Sequence, residues 1–162
     1  LTISGTVATG VSTLSLTTAS DVVLSNTVTG AGLTKLGAGK LTLSGASNAF
    51  GNTTLSAGTL SAGSANAFGS GTTVTVNGGN LDAASAVSIN NVLTLSSDFT
   101  FVGTANLTQG TGAITLGANR SASFHTPVMI RNWTAASRRD IPVSCCRKPT
   151  SSSALPAVGH FV

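Results

Sequence analysis

Aliphatic residues and small hydroxyl residues alternate with a period of two along most of the first 119 residues. In a β-strand this period buries one face and leaves the other at the surface. Clusters of Gly, Asn and Ser separate the alternating runs, and no run has the period of a helix. The sequence therefore predicts an all-β segment of short strands. The clearest runs are Leu14-Ser15-Leu16, Leu41-Thr42-Leu43, Val74-Thr75-Val76, Val87-Ser88-Ile89, Phe99-Thr100-Phe101 and Ile114-Thr115-Leu116.

A longer repeat of about 20 residues is superimposed on this alternation. The tripeptide Gly-x-Leu begins at Gly39, returns at Gly58 and returns again at Gly79. The tetrapeptide Asn-Ala-Phe-Gly at positions 48–51 returns at positions 66–69, after a slightly shorter step. Such self-similarity is typical of a solenoid, in which one repeat cannot bury its own apolar face.

Composition distinguishes between kinds of solenoid. Leucine-rich repeats would place Asn or Cys at a fixed offset and include a helical segment, and the sequence has neither. Short strands, tight Gly/Asn turns and small inward residues instead favour a right-handed, single-stranded parallel β-helix. Its coils stack about 4.8 Å apart, so that Asn and Thr can form ladders along the axis. We predict about six coils of roughly 20 residues each.

Charge and residue types change abruptly after residue 119. Residues 1–119 contain 18 of the 19 Gly and have a net charge of −1. Residues 120–162 contain both Cys, both His and all four Pro, and have a net charge of +5. We therefore predict a β-helix repeat segment over 1–119 and a non-repeat basic tail over 120–162. The sequence pI of about 9.8 reflects the tail.

Acidic residues are the first candidates for catalysis, because carbohydrate-active enzymes need paired carboxylates. The repeat segment has Asp21, Asp82 and Asp98 and no Glu. The separation of Asp82 and Asp98 is somewhat less than one repeat, so they could lie on adjacent coils as a catalytic pair. The alternative is that they are solvated turn residues, and we predict no catalytic, cofactor-binding or metal-binding residue and no cofactor.

Other candidate residues have a structural alternative that we favour. We expect Phe50 and Phe68 to be core or turn aromatics, and the Gly-rich stretch 37–40 lacks the context of a phosphate loop. The cysteines and histidines of the tail can be drawn as nucleophile and base, but they lack the spacing of a zinc site. Its basic residues follow no nucleic-acid-binding motif. These tail residues are His125, Trp133, Arg138, Arg139, Cys145, Cys146, Arg147, Lys148 and His160.

Residues 32–60 resemble the autotransporter-associated β-strand repeat. The resemblance rests on Gly32-Leu33-Thr34-Lys35-Leu36-Gly37-Ala38-Gly39-Lys40-Leu41-Thr42-Leu43-Ser44-Gly45-Ala46, followed by Asn48, Gly51, Thr53-Thr54 and Ala57-Gly58-Thr59-Leu60. One departure is the step from Phe50 to Thr53, which is shorter than in the family. Weaker copies extend over most of residues 22–119.

The resemblance implies a passenger segment of a Gram-negative autotransporter. Such a segment is expected outside the cell or at its surface, attached to or released from the outer membrane, with a C-terminal translocator β-barrel as partner. We expect a non-enzymatic stalk that supports secretion and folding of an extracellular β-helix. The alternatives are an adhesin-type surface that binds a host or a polysaccharide, and a fragment of a carbohydrate-active enzyme. No nucleic-acid partner is expected, whereas open strand edges favour edge-to-edge self-association.

The tail has three interpretations: a disordered extension, a separate folded unit, or translation in a shifted frame. A shifted reading frame would take the third base of each codon together with the first two bases of the next codon. In that frame the codons of Met129-Ile130 and of Trp133-Thr134 each encode Asp, whichever synonymous codons are used. Those of Asn132-Trp133 encode Leu. The compatible peptide D-P-E-L-D-G-G-I-S resembles the segment that precedes a further repeat of this family, so a frameshift product is our leading hypothesis.

Overall fold

The computed structural model of the chain describes residues 1–103, 105–117, 122–124, 129–130 and 133–134. This part of the chain consists of short β-strands joined by turns and bends, and it contains no helix. The all-β prediction is confirmed, and the strands stack as a β-solenoid of about six turns.

The described residues contain eighteen strands. They are β1 (Thr2–Ile3), β2 (Val7–Ala8), β3 (Thr13–Thr17), β4 (Val22–Leu24), β5 (Val28–Leu36), β6 (Lys40–Leu43), β7 (Ala49–Leu55), β8 (Thr59–Ala62), β9 (Thr73–Val76), β10 (Asn80–Ala83), β11 (Val87–Ile89), β12 (Val92–Leu95), β13 (Phe99–Phe101), β14 (Leu107–Gln109), β15 (Ile114–Leu116), β16 (Ala122–Phe124), β17 (Met129–Ile130) and β18 (Trp133–Thr134).

The strands form three parallel sheets. Face A has the order β1-β4-β6-β8-β10-β13-β16, and face B the order β18-β15-β12-β9-β7-β5-β2, with β3 also paired to β5. A shorter face C contains β11-β14-β17. Neighbours on a face come from successive turns of the chain, which we number coil 1 (β1–β3), coil 2 (β4–β5), coil 3 (β6–β7), coil 4 (β8–β9), coil 5 (β10–β12) and coil 6 (β13–β15).

Strand register explains the long sequence repeat. Leu41 pairs with Leu60, and Leu60 pairs with Leu81, so the three Gly-x-Leu copies stack on one another on face A. All three leucines are buried. On face B, Leu33 pairs with Thr53, and Thr53 pairs with Val74. One turn of the chain at these positions therefore has the length that the repeat predicted.

The core is a set of inward-facing columns that run along the solenoid axis. Each column contributes one inward residue per coil, most of them apolar, as burial of one strand face favours. One column of face B contains Lys35, Leu55, Val76, Leu95 and Leu116, all of them buried. The predicted core aromatics Phe50 and Phe68 are confirmed, with 4% and 0% of their surface exposed.

Glycine is required at the corner where face B turns into face A. Gly58 and Gly79 have φ angles of +73° and +85°, which side chains rarely adopt. A Cβ atom on Gly58 would also collide with the carbonyl oxygen of Gly37, and one on Gly79 with that of Gly58. The Gly of the Gly-x-Leu repeat therefore allows the corners of successive coils to stack closely.

The two Asn-Ala-Phe-Gly copies do not occupy equivalent positions. In the first copy Asn48 and Phe50 are buried and Ala49 is exposed, as strand alternation requires. In the second copy Asn66 is exposed and lies in a turn. Asn48 donates across the stack to the carbonyl of Ala67, the residue after Asn66. Phe50 and Phe68 are buried in both copies, so the two copies share the aromatic core position and differ in the environment of their Asn and Ala residues.

Three described strands lie beyond the predicted boundary at residue 119. β16 pairs with β13, β17 with β14 and β18 with β15, each in parallel. The other residues of 120–162 lie outside the described part of the chain, as do the interpretations of the tail that rest on them.

Candidate functional site

The acidic residues were the sequence candidates for chemistry, and the structure separates them. Asp21 and Asp98 are exposed residues that directly precede β4 and β13. Asp82 lies inside β10 and is only 1% exposed. The interpretation of Asp82 as a solvated turn residue is therefore wrong. Alternation in Leu81-Asp82-Ala83 indicated a strand position, which that interpretation overlooked.

Asp82 has a defined polar environment. Ser61 Oγ donates to its Oδ2 at 3.2 Å, and the backbone N–H of Ala83 donates to its Oδ1 at 2.8 Å. The Lys40 ammonium nitrogen is 3.7 Å from Oδ2, with 35% of the Lys40 side chain exposed. A buried carboxylate needs such partners to remain charged. Asp82 therefore lies in a network that joins coils 3, 4 and 5.

Register keeps Asp82 apart from Asp98. Leu81 pairs with Phe101, so the neighbour of Asp82 on the next coil is Val102. Asp98 lies four residues earlier in the chain, about 13 Å along the strand. The two carboxyl groups of glycosidases lie about 5 to 9.5 Å apart. Asp82 and Asp98 are thus not placed as such a pair.

A surface cavity of about 420 Å³ adjoins Asp98 at coils 5 and 6. It is open and polar, and Asp98 is the one carboxylate in its described lining. A lone carboxylate provides no acid and base pair. The lining residues are Gly79, Asn80, Asp98, Phe99, Thr100 and Ser123.

Lys35 is a buried polar residue that the sequence did not single out. It lies on β5 in an otherwise aliphatic inward column, with 0% exposure. Its ammonium donates to the carbonyl oxygens of Leu36 at 2.6 Å, Gly37 at 2.8 Å and Ala57 at 3.4 Å. Three acceptors match the three N–H donors of an ammonium group. Burial nevertheless lowers the pKa of Lys35 through desolvation.

Buried amide side chains line the opposite corner of the coils. Asn48 Oδ1 accepts from Val28 N–H at 2.9 Å, and Asn48 Nδ2 donates to the Ala67 carbonyl at 2.9 Å. Asn91 donates to the Gly69 carbonyl at 2.8 Å, and Gln109 donates to the Asn91 carbonyl at 2.7 Å. The predicted sharing of hydrogen bonds along the axis is present, and these buried amides direct it mainly to backbone groups, with Thr72 Oγ1 as a side-chain acceptor for Asn91 at 3.0 Å. The available sequence signal was the inward strand register of Lys35 on β5, and for Asn48 its place just before β7, two residues from the buried Phe50.

A ladder of hydroxyl residues crosses the outer surface of face B. Its members pair in register on successive coils, and those whose side chains are described are exposed or half-buried. Six steps of about 4.8 Å give the ladder a length of about 29 Å. The members are Ser15, Thr34, Thr54, Thr75, Thr94, Thr115 and Thr134, of which Thr134 is described only in its backbone.

The described residues contain no group of three or more His, Cys, Asp or Glu side chains that could hold a metal ion. The same residues include no helix that is long and apolar enough to span a membrane. The Gly-rich stretch 37–40 is a corner that leads into strand β6, whereas a phosphate loop leads into a helix.

The tail candidates lie outside the described residues, except for Trp133, whose backbone belongs to β18. They are His125, Arg138, Arg139, Cys145, Cys146, Arg147, Lys148 and His160.

These features define the described part of the chain as a parallel β-solenoid whose buried polar groups bond from coil to coil. Residues 33–62 match the family model described as Passenger-associated-transport-repeat. The match confirms the resemblance to an autotransporter passenger repeat found at 32–60, and it spans the end of coil 2, coil 3 and β8 of coil 4. Comparison with curated proteins and with solved structures gave no match.

Proposed function

We propose that this chain is a structural stalk segment of a Gram-negative autotransporter passenger, which supports secretion and folding of an extracellular β-helix. The match of residues 33–62 to the passenger repeat carries the proposal, together with the contacts that the buried polar side chains of this segment make between coils. Lys35 and Asn48, the two buried side chains with N–H donors in that segment, bond to backbone groups of neighbouring coils. They serve stacking, and neither faces a ligand site.

The proposal includes a location and a partner. The segment works at the cell surface or after release from it, and a C-terminal translocator domain exports it. It is non-catalytic, which agrees with the separation of Asp82 from Asp98 along the strand direction. Few charges also suit a chain that folds by adding coils, because like charges stacked about 4.8 Å apart repel.

Export can be tested by placing the full chain between a signal peptide and an autotransporter translocator domain in a Gram-negative host. The matched control has residues 33–62 in shuffled order, which keeps composition and length. We expect several-fold more wild-type chain at the surface of intact cells, measured by cleavage with added protease. Equal surface amounts of the two chains would contradict a role of the repeat in export.

The hydroxyl ladder of face B supports a second candidate function, adhesion to a host surface or polysaccharide. The ladder presents the same chemical group once per coil, and its central members Thr54, Thr75 and Thr94 are half-buried at the surface. Replacement of these three by Ala retains the strand register while removing the hydroxyls. Under this hypothesis the full chain binds cells or immobilised glycans and the triple variant does not. Absence of binding by the wild-type chain leaves the stalk as the better proposal.

A further inference from the structure

Four buried side chains of the described residues carry N–H donors, and they differ in the coils they join. Two of them, on coils 5 and 6, reach the preceding coil. Asn91 donates to the carbonyl oxygens of Gly69 at 2.8 Å and Thr72 at 3.2 Å, both on coil 4. Gln109 donates to the Asn91 carbonyl at 2.7 Å and, within its own coil, to Gly112. These contacts join nearest neighbours only.

Asn48 joins two coils that are not neighbours. It lies on coil 3, accepts from Val28 on coil 2 and donates to Ala67 on coil 4. A solenoid held only by nearest-neighbour contacts can begin to fold anywhere. A buried amide that needs both adjacent coils instead favours the formation of three coils together, because a missing coil leaves a buried polar group without its partner.

Lys35 joins coil 2 to coil 3. Its ammonium finds two acceptors on coil 2, the carbonyls of Leu36 and Gly37, and a third at Ala57, in the last corner of coil 3. That corner also covers the ammonium, since the Lys35 nitrogen packs against Gly58. The ammonium group of Lys35, the only inward-facing cation of coil 2, is therefore fully buried once coil 3 has formed.

The ion pair between Lys40 and Asp82 also skips a coil, from coil 3 to coil 5. Lys40 is 35% exposed, so water can replace the carboxylate as its partner, and the buried Asp82 keeps the hydroxyl of Ser61 and the N–H of Ala83 as donors. Loss of this ion pair therefore leaves neither charged group without a hydrogen-bond partner.

We infer that coils 2 to 4, residues 22–76, form the folding nucleus of the solenoid and that Lys35 and Asn48 close it. The matched repeat at 33–62 lies inside this unit. Coils on either side then add to an existing template. The inference concerns how the chain folds, and it stands independently of whether the segment is exported.

Refolding and unfolding kinetics of the full chain, followed by far-ultraviolet circular dichroism, test the nucleus. Asn48→Ala is expected to slow refolding on the order of tenfold and to change unfolding little, because its contacts are present in the transition state. The control Asn91→Ala removes a buried amide of the same type on coil 5. It should speed unfolding on the order of tenfold and leave refolding nearly unchanged. The inference is overturned if Asn91→Ala slows refolding while Asn48→Ala speeds unfolding, or if both variants slow refolding equally.

Pulsed hydrogen exchange during refolding of the wild-type chain gives an answer even where Asn48→Ala fails to fold. The amides of Ser44, Ser56 and Gly63 donate to the preceding coil within the nucleus, and those of Gly110 and Gly117 do so at coil 6. Protection of the first three before the last two is expected. Simultaneous protection, or earlier protection of Gly110 and Gly117, rules the nucleus out.

Discussion

The ammonium nitrogen of Lys35 lies 2.9 Å from the position that a Cβ atom on Gly58 would occupy. The two residues are one coil apart, and the absence of a side chain at Gly58 leaves room for the buried cation of the coil before. Both residues belong to the segment that matches the passenger repeat. The repeat thus couples a lysine at the end of one strand with a glycine at the next corner.

Gly58→Ala should destabilise the solenoid by about 1 to 3 kcal/mol, because it adds both backbone strain and a collision. The matched control is Gly71→Ala, since Gly71 also has a positive φ, +69°, but has nothing within 4 Å of an added Cβ. Urea denaturation of the two variants separates the collision from the strain. Equal losses of unfolding free energy would show that close packing at Gly58 contributes nothing.

Thr53→Val should stabilise the protein by about 1 kcal/mol. Thr53 is 0% exposed in the column between Leu33 and Val74, and its hydroxyl has no hydrogen-bond partner. Valine keeps the shape and removes the unsatisfied hydroxyl. Thr54→Val, on the outer surface of the same strand, should change the unfolding free energy by less than about 0.5 kcal/mol. A loss of stability in Thr53→Val would show that the hydroxyl is satisfied after all.

Stability should depend on Lys35 at alkaline pH. Burial lowers the pKa of Lys35 from its ordinary value of 10.5, so the native protein releases this proton at lower pH than the unfolded chain does. Between the folded and the unfolded pKa the unfolded chain binds more protons, and the unfolding free energy rises with pH. At pH values below the folded-state pKa, Lys35 is protonated in both the folded and the unfolded chain. Its contribution to the unfolding free energy is then constant and at its least favourable value.

Urea titrations at several pH values up to 10.5 check this dependence. The rise expected for the wild-type chain should be smaller in Lys35→Met and preserved in Lys40→Met, whose side chain is 35% exposed. An unchanged rise in Lys35→Met would assign the effect to another group.

When the 162-residue chain is produced by itself, the strand edge of coil 1 should promote self-association. β1 and β3 lie at the ends of their sheets in the described structure, and Val11 between β2 and β3 is 97% exposed. Unpaired edges bind other edges, and an added lysine prevents this. We expect light scattering to show oligomers that Ser15→Lys, on β3, reduces. Thr94→Lys, on the same ladder but on an interior strand, should leave them unchanged. A monodisperse wild-type monomer would falsify this expectation.

The period-two pattern predicted the strands well because one face of each strand is buried. Leu41, Leu60 and Leu81 could be aligned from their spacing alone, since each occupies the same place in the coil. Polarity alone would place Lys35 and Asn48 at the surface, although Lys35 has an inward position on β5 and Asn48 directly precedes β7. The deciding factor is the set of corner carbonyls, among them those of Ala57 and Ala67 on the next coil, which spacing within a single strand does not reveal.

Asp82 and the second Asn-Ala-Phe-Gly copy are two cases in which residue type or local sequence suggests the wrong environment. Acidity suggested a turn for Asp82, but its neighbours Ser61 and Lys40 come from the two preceding coils, 4 and 3. The second copy repeats four letters, but its Asn66 is exposed in a turn, whereas Asn48 of the first copy is buried. Both outcomes depend on which residues become neighbours across the stack, and that is a property of the coiled chain.

The turns that connect face A to face B differ in length from coil to coil, while the strands that they connect stay in register. Leu41 and Thr53 are the counterparts of Leu60 and Val74 one coil later, yet the chain between the second pair is longer. The added length lies in the turn between β8 and β9, which contains the exposed Ser70 and the sterically open Gly71. A longer loop can therefore be inserted in this turn. It would lie at a fixed position along the solenoid axis, beside coil 4, and would leave the stacked strands on either side in register.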